Sequence, residues 1–375
     1  MLLKKLILTL IFILAFTFSV YSADELRLSA ESAILINAET KEIVYEKNAY
    51  DRHSMASTTK IMTSIIAIES GRLSEIVTAE NMEAEGTSIG LKNGNKLTLE
   101  TLVWGMLLES GNDAAKLTAN FISGSEEKFA KLMNEKAADI GMTDTSFVTA
   151  SGLDSEYHYS TAYDMALLGA YAINNPVFAE MSATKNKTVK FLEPDISFTF
   201  SNHNKLLSMY EGTFGIKTGF TKKSGRCLVS ACKRDGITLV AVTLNAPDDW
   251  NDHMKLFDYG FDKSRCTEIF FRTPENIRIY GAEKSLCDIG IESENITVGF
   301  SDQINNLTQK IYLTSFIYAP ISKGETVGRV ELYSGKRLIK SYAIISKDDI
   351  ESIRPEPEKE SLFKKLISKI TEILT

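Results

Sequence analysis

Ser54-Met55-Ala56-Ser57-Thr58-Thr59-Lys60-Ile61-Met62-Thr63 sets a hydroxyl and an amine three residues apart at the head of an apolar run. From Thr58 to Glu69 there is no Gly or Pro. Ile61, Met62, Ile65, Ile66 and Ile68 give one broad apolar face, and Gly71 is placed as a stop. The pattern predicts a helix over 58–69 with Ser57 at its N-terminal end. Positions i and i+3 of a helix share a face, so the Lys60 amine reaches the Ser57 hydroxyl. Serine is a poor nucleophile near neutral pH. A desolvated lysine held partly neutral takes its proton, and the positive end of the helix favours negative charge developing nearby. Spacing alone does not single out Ser57, because Ser-x-x-Lys recurs at Ser125/Lys128, Ser182/Lys185, Ser230/Lys233 and Ser361/Lys364.

Outward from this stretch, residues 32–38 and 42–46 read as paired strands around the turn Glu39-Thr40-Lys41. A helical stretch comes next. Residues 99–108 and 114–121 are apolar-rich, 125–140 open on a capping serine and end at Gly141, and 161–173 begin with Thr161 and Asp164 at capping-box spacing. Strand patterns return at 225–233 and 237–245, joined by Arg234-Asp235-Gly236, where Asp-Gly between apolar runs is a hairpin signal. Residues 248–261 read as an amphipathic helix. Strands at both ends with helices between them imply an α/β domain whose antiparallel sheet is assembled from distant segments and carries a helical lobe.

From about Lys263 the pattern changes to short strands at 276–279, 296–300, 310–318, 326–332 and 338–345, a small all-β domain without a catalytic cluster. It reads as a spacer or docking module. Pro355 and Pro357 among charges make 351–359 a linker. Beyond it, Leu362, Phe363, Leu366, Ile367, Ile370, Ile373 and Leu374 fall on one helical face beside Lys364, Lys365 and Lys369. About fifteen residues rise only ~22 Å, so this helix is expected to lie in a membrane surface rather than cross it; the alternative is docking on the protein's own body.

Residues 1–23 carry Lys4 and Lys5, an apolar run from Leu6 to Phe18 and small residues near a cut site. They read as a cleaved export signal, with an uncleaved anchor as the alternative. Removing residues 1–22 removes two lysines and no acids, taking the net charge from −7 to −9. An acidic chain without a basic stripe argues against nucleic acid as partner. The domain limits so read are 1–23 signal, 24–262 catalytic, 263–350 all-β, 351–359 linker and 360–375 surface helix. Four cysteines do not make a disulfide scaffold. Cys227 and Cys232, in one strand, stand ~16 Å apart and cannot bridge, which leaves Cys266 and Cys287 as a pair to test or four buried thiols. His53, His158, His203 and His253 are scattered, and neither a metal site nor a cofactor is indicated.

Two further motifs come in order. Ser110-Gly111-Asn112 falls in a turn between apolar helices, and Lys217-Thr218-Gly219 reads as an edge strand just before the hairpin. Near-copies without partners occur at Ser293-Glu294-Asn295 and Lys223-Ser224-Gly225, so it is the ordered triple that carries weight. With it, the chain resembles the low-molecular-mass penicillin-binding proteins that are D-alanyl-D-alanine carboxypeptidases of serine peptidase family S11. Residues 86–91, 109–115, 151–153, 159–166 and 202–207 add to the resemblance, which covers about residues 30–350; Met55 departs from it, standing where the family usually has proline.

The resemblance implies a β-lactamase/transpeptidase-like fold and a catalytic set of Ser57, Lys60 and Ser110. It also implies a substrate-binding set of Asn112, Lys217, Thr218, Gly219 and Phe220, with N–H groups of Ser57 and Phe220 holding the oxyanion. The implied partners are peptidoglycan stem peptides ending in D-Ala-D-Ala and β-lactam antibiotics. Class A β-lactamases use a Glu-x-x-Leu-Asn between the second and third motifs, and none lies between Asn112 and Lys217. Gly86-Thr87-Ser88-Ile89-Gly90 matches G-x-S-x-G, but that motif needs a strand before it and a helix after, and polar residues flank it instead. A non-catalytic wall-binding scaffold is a reading from another class, and acylation by penicillin separates it.

Overall fold

A computed structural model describes residues 26–82, 85–291, 296–301 and 307–353; the proposed signal segment and the C-terminal amphipathic segment lie outside them. The chain opens with β1 (Ser32–Asn37), every residue of which is buried, and β2 (Ile43–Lys47), its antiparallel neighbour. A short 3-10 turn, Ala56–Thr59, runs directly into α1 (Lys60–Glu69). This corrects the helix expected over 58–69. Its first turn is wound at three residues per turn, which eclipses positions i and i+3 and brings Ser57 and Lys60 together more directly than an α-turn does.

A small ribbon of β3 (Ile76–Thr78) and β4 (Lys96–Thr98) leads into α2 (Leu99–Leu107), α3 (Asn112–Ser123), α4 (Glu126–Ile140), α5 (Ala162–Ala172) and α6 (Pro176–Ala183). The expected caps form: Ser125 Oγ accepts from Lys128 N at 3.2 Å and Thr161 Oγ1 from Asp164 N at 3.0 Å. The ribbon β5 (Asn186–Phe191) with β6 (Ile196–Ser201), which the sequence reading passed over, and the single turn α7 (Leu206–Met209) bring the chain back to the sheet.

There β7 (Thr213–Thr221), β8 (Gly225–Arg234) and β9 (Ile237–Leu244) run as a meander, closed by α8 (Asp249–Lys263). The order β2-β1-β9-β8-β7 is antiparallel throughout, so strands from both ends of the domain meet where β1 pairs with β9. Asp235 and Gly236 both take positive φ, 49° and 81°, as a two-residue hairpin requires. One sheet face, with Ile34, Ile36, Val229, Val240 and Val242, packs under α1 and the lobe; the other, with Leu35, Leu228 and Leu239, packs on Leu256 and Phe257 of α8. The third motif is thereby held on the edge strand β7, facing the start of α1.

The remainder is all β. Strand β10 (Ser264–Ile269) pairs with β13 (Ile296–Ser301). A six-stranded sheet runs β14-β16-β17-β12-β11-β15, from β11 (Asn276–Tyr280), β12 (Leu286–Ile291), β14 (Leu307–Leu313), β15 (Phe316–Tyr318), β16 (Thr326–Ser334) and β17 (Arg337–Ser346). The single strand expected over 310–318 is in fact two strands, broken at Thr314-Ser315, which lie on opposite edges of the sheet. Cys227, Cys232 and Cys287 are free and buried, so the Cys266–Cys287 bridge does not form; Cys287 Sγ lies 3.2 Å from Ser346 Oγ.

Candidate active site

The core of the site is an amine with three neighbours. Lys60 is completely buried, and its Nζ stands 2.9 Å from Ser57 Oγ, 2.7 Å from Asn112 Oδ1 and 2.6 Å from the Ser151 carbonyl. The last two oxygens only accept. A neutral amine therefore gives them its two N–H groups and turns its lone pair to the Ser57 hydroxyl. Burial drives the Lys60 pKa well below the usual lysine range, and the nearby Lys217 ammonium lowers it further, while Asp113 opposes both. An amine so placed is equipped to take the Ser57 proton.

Two loops fix this amine from opposite sides. Thr63 Oγ1 donates to the Ala150 carbonyl at 2.6 Å, one residue before Ser151 accepts from Lys60. Thr59 Oγ1 lies 2.9 Å from His158 Nε2, whose Nδ1 accepts from Val148 N at 3.0 Å. Burial pulls His158 down to about 4, so the ring is neutral and ties the 148–158 segment to the 3-10 turn without taking part in proton traffic.

On the other side Asn112 opens α3, with Nδ2 donating to the Glu85 carbonyl at 2.6 Å and its backbone N to the Thr87 carbonyl at 2.7 Å. Asp113 gathers the adjacent loop: its carboxylate accepts from Ser88 Oγ at 2.5 Å, Ile89 N at 3.0 Å and Leu91 N at 3.0 Å. Ser88, centre of the rival G-x-S-x-G motif, is thus a loop anchor with neither a strand before it nor a helix after it. Both ends of the Asn112 carboxamide are engaged, so holding a substrate amide through Nδ2 requires release from Glu85.

The third motif closes the site. Gly219 on β7 passes so near Ser57 that a Cβ there would stand 3.1 Å from Ser57 N and 3.1 Å from the Met55 carbonyl. Lys217 is buried on the face of the strand that Gly219 shares, its Nζ donating to the Thr218 carbonyl at 2.9 Å, and burial lowers it to about 7. Thr218, Gly219 and Phe220 form one wall of a cleft of about 320 Å³ that also holds Ser57, Thr87, Ser110 and His203. Ala56 and Ser110 both take left-handed backbone, φ 48° and 63°, the kind of strain that collects at functional sites.

Arg226, Asp249 and Trp250 also line this cleft, and the motif reading missed them. Arg226 Nη2 pairs with Asp249 Oδ1 at 2.7 Å. The signal for Arg226 lay in register: it faces Phe220 across β7 and β8, and that pairing is invisible until the strands are aligned. The near-copy Lys223-Ser224-Gly225 is the turn into β8, where Ser224 Oγ accepts from Thr221 N at 3.0 Å. Ser125, the serine of another near-copy, is a helix cap.

The sequence profile of the D-alanyl-D-alanine carboxypeptidase family, peptidase S11, matches residues 19–248. The chain belongs to that family. It is accordingly a serine-peptidase hydrolase. A second profile, the C-terminal domain of penicillin-binding protein 5, matches residues 272–352. Among family members, the D-alanyl-D-alanine carboxypeptidase DacF of Bacillus subtilis is 30% identical over 341 residues, covering 88% of this chain and 87% of the relative. DacC of Escherichia coli is 31% identical over 355 residues, covering 86% and 84%. The crystal structure of DacD from Francisella tularensis superposes with a TM-score of 0.62 at 28% identity, covering 87% and 94%. The S11 fold of a sheet-and-helix catalytic lobe followed by an all-β domain is therefore that of this chain.

Proposed function

We propose that this S11 member is a serine-type D-Ala-D-Ala carboxypeptidase that trims peptidoglycan stem peptides through an acyl-enzyme on Ser57. The observation that carries the reading is the buried Lys60 amine 2.9 Å from Ser57 Oγ, with its other two neighbours restricted to accepting. Ser57 Oγ attacks the carbonyl carbon of the penultimate D-alanine while Lys60 takes its proton. N–H groups of Ser57 and Phe220 hold the oxyanion. The C–N bond breaks as Ser110 delivers a proton to the departing amine, and water then hydrolyses the ester. Asn112 holds the substrate amide, and Lys217 and Thr218 the terminal carboxylate beside Gly219 and Phe220. A β-lactam enters the same step and stays as a penicilloyl ester, because no lactamase-type glutamate lies between the second and third motifs.

In this reading residues 24–262 form the catalytic unit and 263–350 the all-β unit. Residues 1–23 direct export, and 360–375 rest on the outer face of the cytoplasmic membrane. Among the described residues no helix is long and apolar enough to cross a membrane. Labelling with a fluorescent penicillin followed by peptide mapping tests the chemistry. A stable adduct on the Ser57 peptide is expected. A label on Ser88, or none, sinks the assignment, and rapid turnover of penicillin makes the protein a β-lactamase instead.

A further inference from the structure

The outward face of the six-stranded sheet ends at β15 in aromatic rings that the chemistry above does not use. Tyr280, Phe316 and Tyr318 are 49%, 42% and 68% exposed. Strands β11 and β15 are parallel, with Arg278 beside Phe316 and Tyr280 beside Tyr318, so these four share one face while Ile277 and Ile279 enter the core. The rings pack edge-on: centroids of Tyr280 and Phe316 are 5.3 Å apart and those of Phe316 and Tyr318 5.4 Å. Leu286, across from Arg278 on β12, extends the face.

This face has polarity along the strands. Asn276 and Asp288 pair at one end, while Tyr280 and Tyr318 lie at the other. The chain leaves at the aromatic end: Ile353 N donates to the Gly281 carbonyl at 2.7 Å, and Ile353 is itself 56% exposed. From there to residue 360 is about seven residues, a reach of at most ~25 Å. Past that point the sequence carries the apolar set Leu362, Phe363, Leu366, Ile367 and Ile370, interleaved with Lys364, Lys365 and Lys369.

We propose that Tyr280, Phe316 and Tyr318, with Arg278 at their rim, form a second contact with an anionic membrane surface, seating the all-β domain on the bilayer beside residues 360–375. The inference rests on the membrane reading of that segment. A cluster of exposed aromatic side chains on one sheet face is unusual for a surface turned to water. Amphipathic aromatic rings with a long cationic side chain suit the headgroup layer, where rings enter and the guanidinium stays with phosphate. A tethered neighbour already on lipid makes the contact intramolecular, so even a weak patch is occupied. Two contacts fix the tilt of the domain, and with it the position of the catalytic cleft, where one tether leaves both free.

The test is co-sedimentation of the mature full chain with phosphatidylglycerol vesicles, against the triple variant Tyr280→Ser, Phe316→Ser, Tyr318→Ser and against deletion of 360–375. Unchanged penicillin acylation confirms that the catalytic domain of the triple variant is folded, and a far-ultraviolet circular-dichroism spectrum and urea-unfolding profile like the parent's confirm it for the all-β domain. The triple variant is expected to bind about tenfold more weakly than the parent, from the apolar area withdrawn. Equal binding of parent and triple variant, with loss on deletion of 360–375, overturns the patch and leaves the tail reading intact. A full chain that does not bind vesicles overturns both. Unchanged vesicle binding with loss of binding to isolated peptidoglycan, or with loss of self-association, assigns the rings to another partner and also overturns the proposal.

Discussion

A methyl group added at Gly152 would stand 1.9 Å from the carbonyl oxygen of Ala56, and Gly152 already holds φ +85°. This contact sets how closely the 150–152 loop approaches the turn that carries Ser57. Because the obstruction is backbone, no side-chain rotation relieves it. Gly152→Ala is expected to lower stability by about 2 kcal/mol or more and to slow acylation by penicillin at least tenfold, through displacement of the Ser151 carbonyl from Lys60. Urea unfolding and the acylation rate measure the two effects. An unchanged acylation rate would show that the loop does not set the position of Lys60.

Asp113 offers a separate test, because it both anchors residues 88–91 and raises the Lys60 pKa. Asp113→Asn weakens charge-assisted bonds and is expected to cost about 1–3 kcal/mol. It also removes a negative charge from near Lys60, so the amine is held neutral to lower pH. The ascending limb of the acylation pH profile should therefore move down. Movement upward would contradict the placement of Lys60 as the base.

Much of this was legible in the sequence, for physical reasons that also mark where legibility ends. Asp235-Gly236 is read as a hairpin because few residues tolerate the φ values such a turn needs. Ser57 and Lys60 are read as a pair because a helical spacing is a local property. Arg226, Asp249 and Trp250 stayed hidden because their place in the cleft comes from the register of β7 on β8 and from the docking of α8. The break at Thr314-Ser315 was missed for a related reason: β14 and β15 have similar local patterns, and only tertiary pairing sends them to opposite edges.

Two depressed lysines predict a bell-shaped profile for kcat/KM on a peptide with a free carboxylate. Lys60, lowered by burial and again by Lys217, must lose its proton to act, and gives the ascending limb. Lys217, lowered by burial to about 7, must keep its proton to attract a carboxylate, and gives a descending limb near that value in the free enzyme. Lys217→Arg stays charged, and so should flatten the descending limb alone. The same burial makes stability pH-dependent: between about 7 and the ordinary lysine range the unfolded chain binds a proton at residue 217 that the folded chain lacks, so stability rises with pH across that window. Chemical unfolding across that range checks the sign.

Lys217 also predicts a discrimination between substrates. Its ammonium lies on the face of β7 that Gly219 shares, close enough to lower Lys60, and donates to the Thr218 carbonyl at 2.9 Å with Thr218 Oγ1 at 3.5 Å, so its charge stands at the wall that Thr218, Gly219 and Phe220 present to the cleft. A terminal carboxylate seated there gains a charge-assisted contact, whereas an ester or amide gains little. Lys217→Ala should lower kcat/KM for the free-carboxylate peptide by about 1.5–3 kcal/mol, a factor of roughly ten to a hundred and fifty, and leave the esterified analogue within a few-fold of the parent. Thr218→Val, which keeps the charge and removes the hydroxyl, should fall between the two. Equal losses on both substrates in Lys217→Ala would mean that the lysine acts through the position of β7, and that the carboxylate is bound elsewhere in the cleft, with Arg226 the next group to test.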